Sequence, residues 1–264
     1  MSIRFGVALH VPATRRRWVD KCRRAEALGY DTISVGDHLG MPAPFPALVL
    51  AAEATERVRL GTYMLNANFY RPALAARDIA STDLFTDGRL ELGLGAGHAR
   101  AEFEAAGIAY ASGAERVEAL EQMVSELRRL FGTHGQVNPV QHPGPPLMIG
   151  GRGNRLLSLA AREADIISFN GASTSRHQLS GLPTFASADA VAERVQFARI
   201  ALGDRRDVVE FNNVVPAIVV TDNYRAGLEK LAHFAPELSP EDLAAVPGLL
   251  VGTAVQIADK LRQN

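Results

Sequence analysis

Short apolar runs alternate along the chain with longer segments in which apolar residues recur every three or four positions. The run at residues 3–9 is typical of a buried strand, and the stripe of Trp18, Cys22, Ala25 and Leu28 is typical of a helix. Repeated in this order, the pattern predicts the βαβα succession of a parallel sheet. The predicted strands are residues 3–9, 32–35, 58–65, 89–92, 147–149, 166–169 and one within 208–220.

Seven strands, most of them followed by a helix, favour an α/β fold of the TIM (β/α)8 barrel type over an open doubly wound sheet. No eighth strand is identified, because after Leu249–Gly252 the chain continues as an apparent helix at residues 255–262. The chain shows no low-complexity tract and no fixed-period repeat, so we expect a single domain over residues 1–264. In such a barrel the active site lies at the carboxyl ends of the strands.

The charge balance narrows the set of partners. With 28 basic and 29 acidic residues the net charge is -1, so we expect a small-molecule substrate and neither nucleic acid nor a membrane. The single cysteine, Cys22, lies on an apolar stripe, and no segment resembles a secretory signal or a bilayer span, which favours a cytoplasmic protein. The histidines lack the spacing of metal-binding motifs, so no metal is expected.

The segment TDGRLELGLGAG, residues 86–97, places a glycine cluster beside a predicted strand. A dinucleotide-binding turn requires G-x-G-x-x-G, whereas Gly93, Gly95 and Gly97 follow the pattern G-x-G-x-G. The sequence therefore gives little support to a Rossmann turn. We expect these glycines to lie immediately after the strand at residues 89–92.

Polar residues follow several predicted strands and should meet at the mouth of the barrel. Each has a structural alternative: Asp37 could cap a helix with His38 at the surface, Asn66 and Asn68 could satisfy their own turn, and His98 could be incidental. The residues at strand ends are Asp37, His38, Asn66, Asn68, Gly95, Gly97, His98 and Asn170.

The segment MIGGRGNRLL follows the fifth strand and opens a helix. Glycines allow the backbone to approach a ligand closely, and a helix amino terminus with an arginine favours an anion. The sequence therefore predicts a phosphate site here; the alternative is a tight turn with a solvated arginine. The residues concerned are Gly150, Gly151, Gly153, Asn154 and Arg155.

Taken together, these segments resemble the luciferase-like monooxygenase superfamily, and in particular its coenzyme F420-dependent oxidoreductase branch. The resemblance is carried, in order, by RFGVAL, AEALGYDTISVGDHL, RVRLGTYMLNANFYRPALAARDIASTDLFTDGRLELGLGAGHARAEFEAAGI, PPLMIGGRGNRLLSLAAREADI and SPEDLAAVPGLLVGTAVQIADKLR. It spans nearly the whole chain. It implies a TIM barrel that binds F420, or FMN in sister branches, across the carboxyl ends of its strands.

The resemblance also implies roles for individual residues. Asp37 and His38 would lie near the deazaflavin and the substrate, with His38 or His98 as the proton donor. A bulge containing a non-proline cis peptide would fall at Tyr63–Met64 and back the ring. Gly150, Gly151, Gly153 and Arg155 would hold the phosphate of the cofactor, next to Asn154. The other residues implied in cofactor binding are Asn66, Asn68, Gly95 and Gly97.

Three functions remain open on the sequence. The first is hydride transfer between F420 and a small organic substrate, and the second is an FMN-dependent two-component monooxygenase served by a separate flavin reductase. The third is a non-catalytic flavin-binding or interaction protein, which the absence of an identified eighth strand makes credible because an open barrel has unpaired strand edges. A homodimer is expected mainly by analogy with the family, and the alanine-rich helices near the second and third strands could pack closely in it.

Overall fold

The computed structural model describes residues 3–132, 138–169, 172–173, 184–185, 187–232 and 238–263. The contacts divide the chain into two compact units, Met1–Ile167 and Ser168–Asn264, and each unit is described separately below. A single domain over residues 1–264 stays a prediction. Asn170 lies outside the described residues.

The first unit alternates strands and helices as the sequence pattern predicts. Its strands are β1 (Gly6–Ala8), β2 (Thr32–Val35), β3 (Arg59–Thr62), β4 (Leu65–Asn66), β5 (Leu90–Gly95) and β6 (Leu147–Gly150), and β7 (Ile166–Phe169) begins in it. Its helices are α1 (Arg15–Ala27), α2 (Pro44–Ala54), α3 (Pro72–Phe85), α4 (Arg100–Ala105), α5 (Gly113–Leu130) and α6 (Asn154–Glu163).

The sheet of the first unit is parallel and follows the chain. Its order is β1, β2, β3, β5, β6, and then β7, with the short strand β4 paired beside β5. The registers align Ile33 with Leu60 and Leu60 with Leu90, and all three side chains are completely buried. Because the strands are parallel and joined by helices, their carboxyl ends lie at one edge. The first unit therefore brings the sequence-predicted site residues to the same side of the sheet.

Two strand predictions in this unit are wrong in detail. The predicted strand at residues 58–65 is two strands, β3 and β4, with the cis peptide bond Tyr63–Met64 between them. The predicted strand at residues 89–92 continues to Gly95, so that Gly93 and Gly95 lie within β5 and only Gly97 lies in the loop after it. An added Cβ at Gly93 would lie 2.1 Å from the Thr62 carbonyl oxygen, which is why a strand this close to β3 requires glycine.

The helices begin where the sequence supplies caps. Thr14 accepts a hydrogen bond from the Arg17 amide at the start of α1, and Ser112 and Glu115 form a reciprocal capping box at the start of α5. The predicted stripe of α1 is confirmed for Trp18, Cys22 and Ala25, which are buried, while Leu28 caps the helix and is exposed. Burial of this stripe places α1 against α2, where the Trp18 indole donates to the Ala47 carbonyl at 3.1 Å.

The second unit contains shorter strands around a small core. Its strands are β8 (Ala172–Ser173), β9 (Thr184–Phe185), β10 (Glu210–Asn213), β11 (Ala217–Val220) and β12 (Leu249–Gly252), and its helices are α7 (Ala188–Leu202), α8 (Tyr224–Ala232), α9 (Pro240–Ala245) and α10 (Ala254–Gln263). Strand β10 lies beside Ser168 and Phe169 of β7, and β8 and β9 are antiparallel.

Strands β11 and β12 of the second unit form a parallel pair, which the sequence analysis did not anticipate. The predicted strand within residues 208–220 is two strands, β10 and β11, and residues 249–252 form the partner of β11. Leu249 of β12 forms a buried cluster with Leu231 of α8 and Leu243 of α9. The Lys260 ammonium donates to the carbonyls of Ala244, Val246 and Leu249 and so ties α10 to this core.

Candidate active site

His38 and Glu102 form the central polar contact at the carboxyl ends of β2 and β5. Nδ1 of His38 lies 2.9 Å from Oε1 and 3.0 Å from Oε2 of Glu102, and both side chains are partly buried. A carboxylate accepts hydrogen bonds only, so this contact assigns the proton to Nδ1 and leaves Nε2 as the nitrogen that can exchange a proton with a ligand. The sequence did not single out Glu102, which lies in the first turn of α4.

Two further histidines lie around His38. The ring of His98 meets that of His38 edge to face, with 5.8 Å between centroids. Loss of hydration lowers the pKa of His98, and the nearby His38 lowers it further, while Glu102 acts in the opposite direction. The pKa of His10 is also lowered, first by burial and then by His38. At neutral pH His98 and His10 are therefore neutral, and the predicted site residue His98 does lie beside His38.

Asp37 is a connecting residue between two strand ends. Its Oδ2 accepts a hydrogen bond from the Asn66 amide at 2.9 Å. Burial raises the pKa of Asp37, and the Asn66 amide and the nearby Tyr70 hydroxyl counteract part of that rise. The alternative that Asp37 caps a helix is wrong, because α2 begins at Pro44 with Ala43 in the capping position.

The cis peptide expected at Tyr63–Met64 is present. The Met64 side chain packs onto three glycines of the neighbouring strands. An added Cβ would lie 2.9 Å from Met64 Sδ at Gly93, 3.3 Å from Met64 Cβ at Gly95 and 2.5 Å from Met64 Cε at Gly150. The glycines at the ends of β5 and β6 thus make room for the side chain that follows the cis bond.

Asn66 and Asn68 connect the bulge to the loop after β5. Asn66 Oδ1 accepts from the Asn68 amide at 3.2 Å, and Asn68 Nδ2 donates to the Ala96 carbonyl at 3.0 Å. The first of these bonds agrees with the turn alternative for Asn66. Gly97 has φ +71°, and an added Cβ there would lie 2.5 Å from both terminal atoms of Asn66. The loop therefore closes directly over the Asn66 amide.

Arg116 and Tyr110, which the sequence analysis did not select, support the same loop. Arg116 Nε donates to the Gly97 carbonyl at 3.2 Å, and its guanidinium lies 4.2 Å from the centre of the Tyr110 ring. The Tyr110 hydroxyl donates to the His98 carbonyl at 3.2 Å. A cation over an aromatic ring is a stabilising contact of about 0.5 to 2 kcal/mol. These residues therefore hold the loop at Gly97 and His98.

The turn between β6 and α6 has the composition of an anion site. Gly153 occupies the capping position of α6 without a side-chain cap, and the first turn of the helix contains no acidic residue. The Arg155 guanidinium is half-exposed, donates to the Ala114 carbonyl at 3.3 Å and lies 3.8 Å from Glu118. Gly150, Gly151, Asn154 and Arg155 therefore surround one helix amino terminus, as predicted, while Arg155 also contacts α5.

The missed residues carried no local signal in the sequence. Glu102 lies in α4, which begins only at Arg100, and its partner His38 is 64 positions away. Tyr70, Arg116 and His10 carried none either, because their interactions with Phe45, Gly97 and His38 are set by tertiary packing. Among the described residues no group of three or more His, Cys, Asp and Glu side chains could hold a metal ion. No helix in the described part of the chain is long and apolar enough to cross a membrane.

Comparison with known families settles the membership of the chain. The family model described as luciferase-like monooxygenase matches residues 1–264. The chain belongs to this family. The resemblance seen in the sequence is thereby confirmed.

Curated relatives include both F420 and flavin enzymes. The F420-dependent glucose-6-phosphate dehydrogenase of Kribbella flavida is 36% identical over 145 residues, which cover 51% of this chain and 43% of that protein. The F420-dependent glucose-6-phosphate dehydrogenase of Rhodococcus erythropolis is 29% identical over 253 residues, which cover 86% of this chain and 71% of that protein. The oxygenase component of a flavin-dependent trigonelline monooxygenase from Acinetobacter baylyi is 28% identical over 155 residues, 51% of this chain and 42% of that protein.

Solved structures confirm the fold class. An F420-dependent secondary alcohol dehydrogenase in complex with an F420–acetone adduct matches with TM-score 0.77 at 17% identity, covering 100% of this chain and 90% of that one. An EDTA monooxygenase from Chelativorans sp. matches with TM-score 0.77 at 14% identity, covering 98% and 85%. At these identities the likeness concerns the fold alone. The predicted α/β barrel class of luciferase-like proteins is confirmed.

Proposed function

We propose that this protein is an F420-dependent oxidoreductase that transfers a hydride between the deazaflavin and a small organic substrate. The observation that carries the proposal is the His38–Glu102 contact at the carboxyl ends of β2 and β5. The names of the Kribbella and Rhodococcus relatives support F420 as the cofactor.

The described residues fit a flat cofactor with a phosphate group. The Met64 side chain fills the space left by the glycines of β5 and β6, so a planar ring could rest on the bulge formed by Tyr63, Met64 and Asn66. The uncapped amino terminus of α6 offers backbone amides, and Arg155 and Asn154 lie in its first turn. We propose that the ring lies against the bulge, Gly95 at the end of β5 and Gly97 in the loop after it, and that the phosphate lies at Gly150, Gly151, Gly153, Asn154 and Arg155.

When bound, the deazaflavin supplies the hydride chemistry. The contribution of the chain is then to move one proton at the substrate oxygen. In this proposal Nε2 of His38 donates or accepts that proton, depending on the direction of the reaction, while Glu102 holds Nδ1–H and stabilises the imidazolium form. His98 is neutral and lies beside the ring of His38. In this proposal it relays the proton between His38 and solvent. Asp37 orients the strand end that carries His38.

A second function is a two-component FMN-dependent monooxygenase, which the trigonelline monooxygenase relative favours. In that case a separate reductase would supply the reduced flavin. A non-catalytic flavin-binding protein is the third, and it shares the binding residues but predicts no turnover. A homodimer is part of the first proposal, since the alanine-rich helices α2 and α3 pack against each other and could also pack against a second copy.

The first experiment is a separate titration of the purified protein with oxidised F420 and with FMN. The fluorescence of the cofactor should be followed, because the single tryptophan, Trp18, is buried between α1 and α2 and would report weakly on the strand ends. Tight F420 binding supports the proposal. Preferential FMN binding would favour the monooxygenase, and binding of neither cofactor would contradict both.

Arg155→Ala tests the phosphate assignment, and Arg162→Ala is its matched control. Both arginines lie on α6, are about half exposed and reach a glutamate of α5, Glu118 for Arg155 and Glu121 for Arg162. Only Arg155 lies in the first turn of the helix. We expect Arg155→Ala to weaken F420 binding roughly 10-fold or more, as the loss of one charge-assisted contact does, and Arg162→Ala to leave it unchanged. Equal effects of the two substitutions would refute the assignment.

A further inference from the structure

Two of the groups that surround His38 lie in one stretch of chain. His98 lies in the loop after β5, and Glu102 lies in α4, which follows that loop. The stretch runs over residues 97–111, up to the cap of α5, and is called the α4 segment below. A contact that fixes the α4 segment therefore acts on both of these neighbours of His38.

Arg116 holds the two ends of the α4 segment with one guanidinium. Its Nε donates to the Gly97 carbonyl at 3.2 Å, and its Nη1 donates to the Ala111 carbonyl. Because Gly97 and Ala111 are the first and last residues of the segment, the two hydrogen bonds close it across its base. Arg116 lies in the second turn of α5, behind the capping box of Ser112 and Glu115, which fixes the start of that helix.

Aromatic contacts hold the middle of the α4 segment. Phe103 of α4 is buried, and its ring meets Phe69 at 5.0 Å and Tyr110 at 5.2 Å between centroids. The Arg116 guanidinium lies 4.2 Å from the centre of the Tyr110 ring, and the Tyr110 hydroxyl donates to the His98 carbonyl. The rings thus anchor α4, and the guanidinium adds the connection between the ends of the segment.

We propose that Arg116 is a positioning residue that closes the α4 segment and so sets the places of Glu102 and His98 around His38. Arginine suits this role because its planar guanidinium presents several donors at fixed angles, and two of them reach carbonyls on separate stretches of chain. A lysine would keep the charge, but its ammonium is a single point on a flexible stem and could not replace the fork. The consequence for cofactor binding rests on the proposed function, whereas the effect on the α4 segment does not.

The charge of Arg116 acts on the same site and must be separated from its hydrogen bonds. Burial lowers the pKa of His98 most, His38 and Arg116 lower it further through their charges, and Glu102 raises it. Arg116→Lys keeps the charge, so a purely electrostatic role leaves the pKa of His98 unchanged in that variant. If the α4 segment opens instead, His98 gains water and its pKa rises towards the usual value of 6.5.

The test compares Arg116→Lys with Arg128→Lys by hydrogen–deuterium exchange of the cofactor-free protein. Arg128 is the matched control, since it lies on the same helix and also donates to a backbone carbonyl, that of Glu163 on α6. We expect Arg116→Lys to speed amide exchange in the α4 segment roughly 10-fold, as the loss of one hydrogen bond implies, and to leave β2 and β5 unchanged. Arg128→Lys should leave the α4 segment unchanged. The pKa of His98, followed by NMR of its ring protons, should rise in Arg116→Lys alone.

Unchanged exchange of the α4 segment in Arg116→Lys would overturn the proposal, and so would an unchanged pKa of His98. Exchange that rises equally in β2, β5 and the α4 segment would overturn it too, as the mark of a general loss of stability. If Arg116→Lys does not fold, the wild-type protein provides a second test. Nε–H of Arg116, held by the Gly97 carbonyl, should exchange with water more slowly than Nε–H of Arg128, which contacts Glu163 through its terminal nitrogens, and equal rates would overturn the proposal.

F420 affinity gives the functional readout, because Gly97 lies in the loop proposed to contact the ring. Arg116→Lys should bind F420 several-fold more weakly than the wild type, and Arg128→Lys should bind it as tightly. Equal affinities in the two variants would overturn the extension to cofactor binding. Failure of F420 binding in the wild type would count against the proposed function and leave the exchange measurements valid.

Discussion

His38 donates one Nδ1–H to both carboxylate oxygens of Glu102, at 2.9 and 3.0 Å, across the gap between the end of β2 and the first turn of α4. This contact fixes both the ring orientation and the tautomer of His38. It also places a negative charge where the imidazolium would form. The arrangement is suited to a group that gives and takes one proton per turnover.

Glu102→Gln tests this role directly. Glutamine keeps an oxygen that can accept from Nδ1–H, but it has no charge to stabilise the imidazolium. We expect turnover to fall about 10- to 100-fold, within the range of general acid–base effects, with F420 affinity changed less than about 2-fold. Glu104→Gln is the control, because Glu104 lies on the same helix and pairs with Arg100 at the surface. Unchanged turnover in Glu102→Gln would exclude this role for the contact.

The lowered pKa of His98 makes a pH-dependent contribution to stability. The unfolded chain should protonate His98 near its usual value of 6.5, whereas the folded protein does so only at lower pH. The free energy of unfolding therefore decreases as pH falls from 6.5 towards the pKa of His98 in the folded protein. Above pH 6.5 His98 is neutral in both states and this loss is absent. Urea unfolding at several pH values should show this decline, and His98→Gln should make it shallower. A steeper or unchanged slope in the variant would contradict the lowered pKa.

Gly97→Ala separates two reasons for a glycine in the loop after β5. Gly97 has φ +71° and would place a Cβ 2.5 Å from Asn66, whereas Gly107 has φ +68° and open space around its Cβ position. Alanine at either position costs about 1 to 2 kcal/mol for the left-handed backbone. Gly97→Ala should cost more than Gly107→Ala and should also weaken F420 binding, because only it displaces Asn66. Denaturation and cofactor titration of both variants check this.

The order of elements in the first unit could be predicted from the sequence because local periodicity determines it. The stripe of Trp18 and Cys22, and the run that became β2, depend only on neighbouring residues. The interruption at Tyr63–Met64 was anticipated through family resemblance and not through periodicity, since nothing local announces a cis bond before a methionine. Residues 249–252 were not recognised as a strand because their partner, β11, lies far away in sequence.

The sequence predicted which residues of the candidate site lie near one another, but not which of them are in contact. Position at strand ends selected Asp37, His38 and His98 correctly as neighbours. It could not show that Asp37 accepts a hydrogen bond from the Asn66 amide, or that His38 is paired with Glu102, because both partners are set by tertiary packing. Their catalytic and binding roles stay predictions.

The fit of Met64 against Gly150 yields a last test of how the bulge is held. An added Cβ at Gly150 would lie 2.5 Å from Met64 Cε, while one at Gly153 would meet open space. Gly150→Ala should therefore destabilise the protein by about 1 to 3 kcal/mol, the usual cost of overpacking. Gly153→Ala meets no collision and should cost less, about 1 kcal/mol at most, because alanine is a poorer helix cap than glycine.

In a Met64→Ala background the colliding atoms are gone, so Gly150→Ala should cost less than about 0.5 kcal/mol. The double-mutant cycle is measured by urea unfolding, with F420 affinity as a parallel readout. Because the collision involves only the far end of a flexible side chain, a small cost in the wild-type background would mean that Met64 moves away without disturbing the bulge. Retained F420 affinity in that variant would then show that the ring is supported by the backbone of the bulge and not by the Met64 side chain.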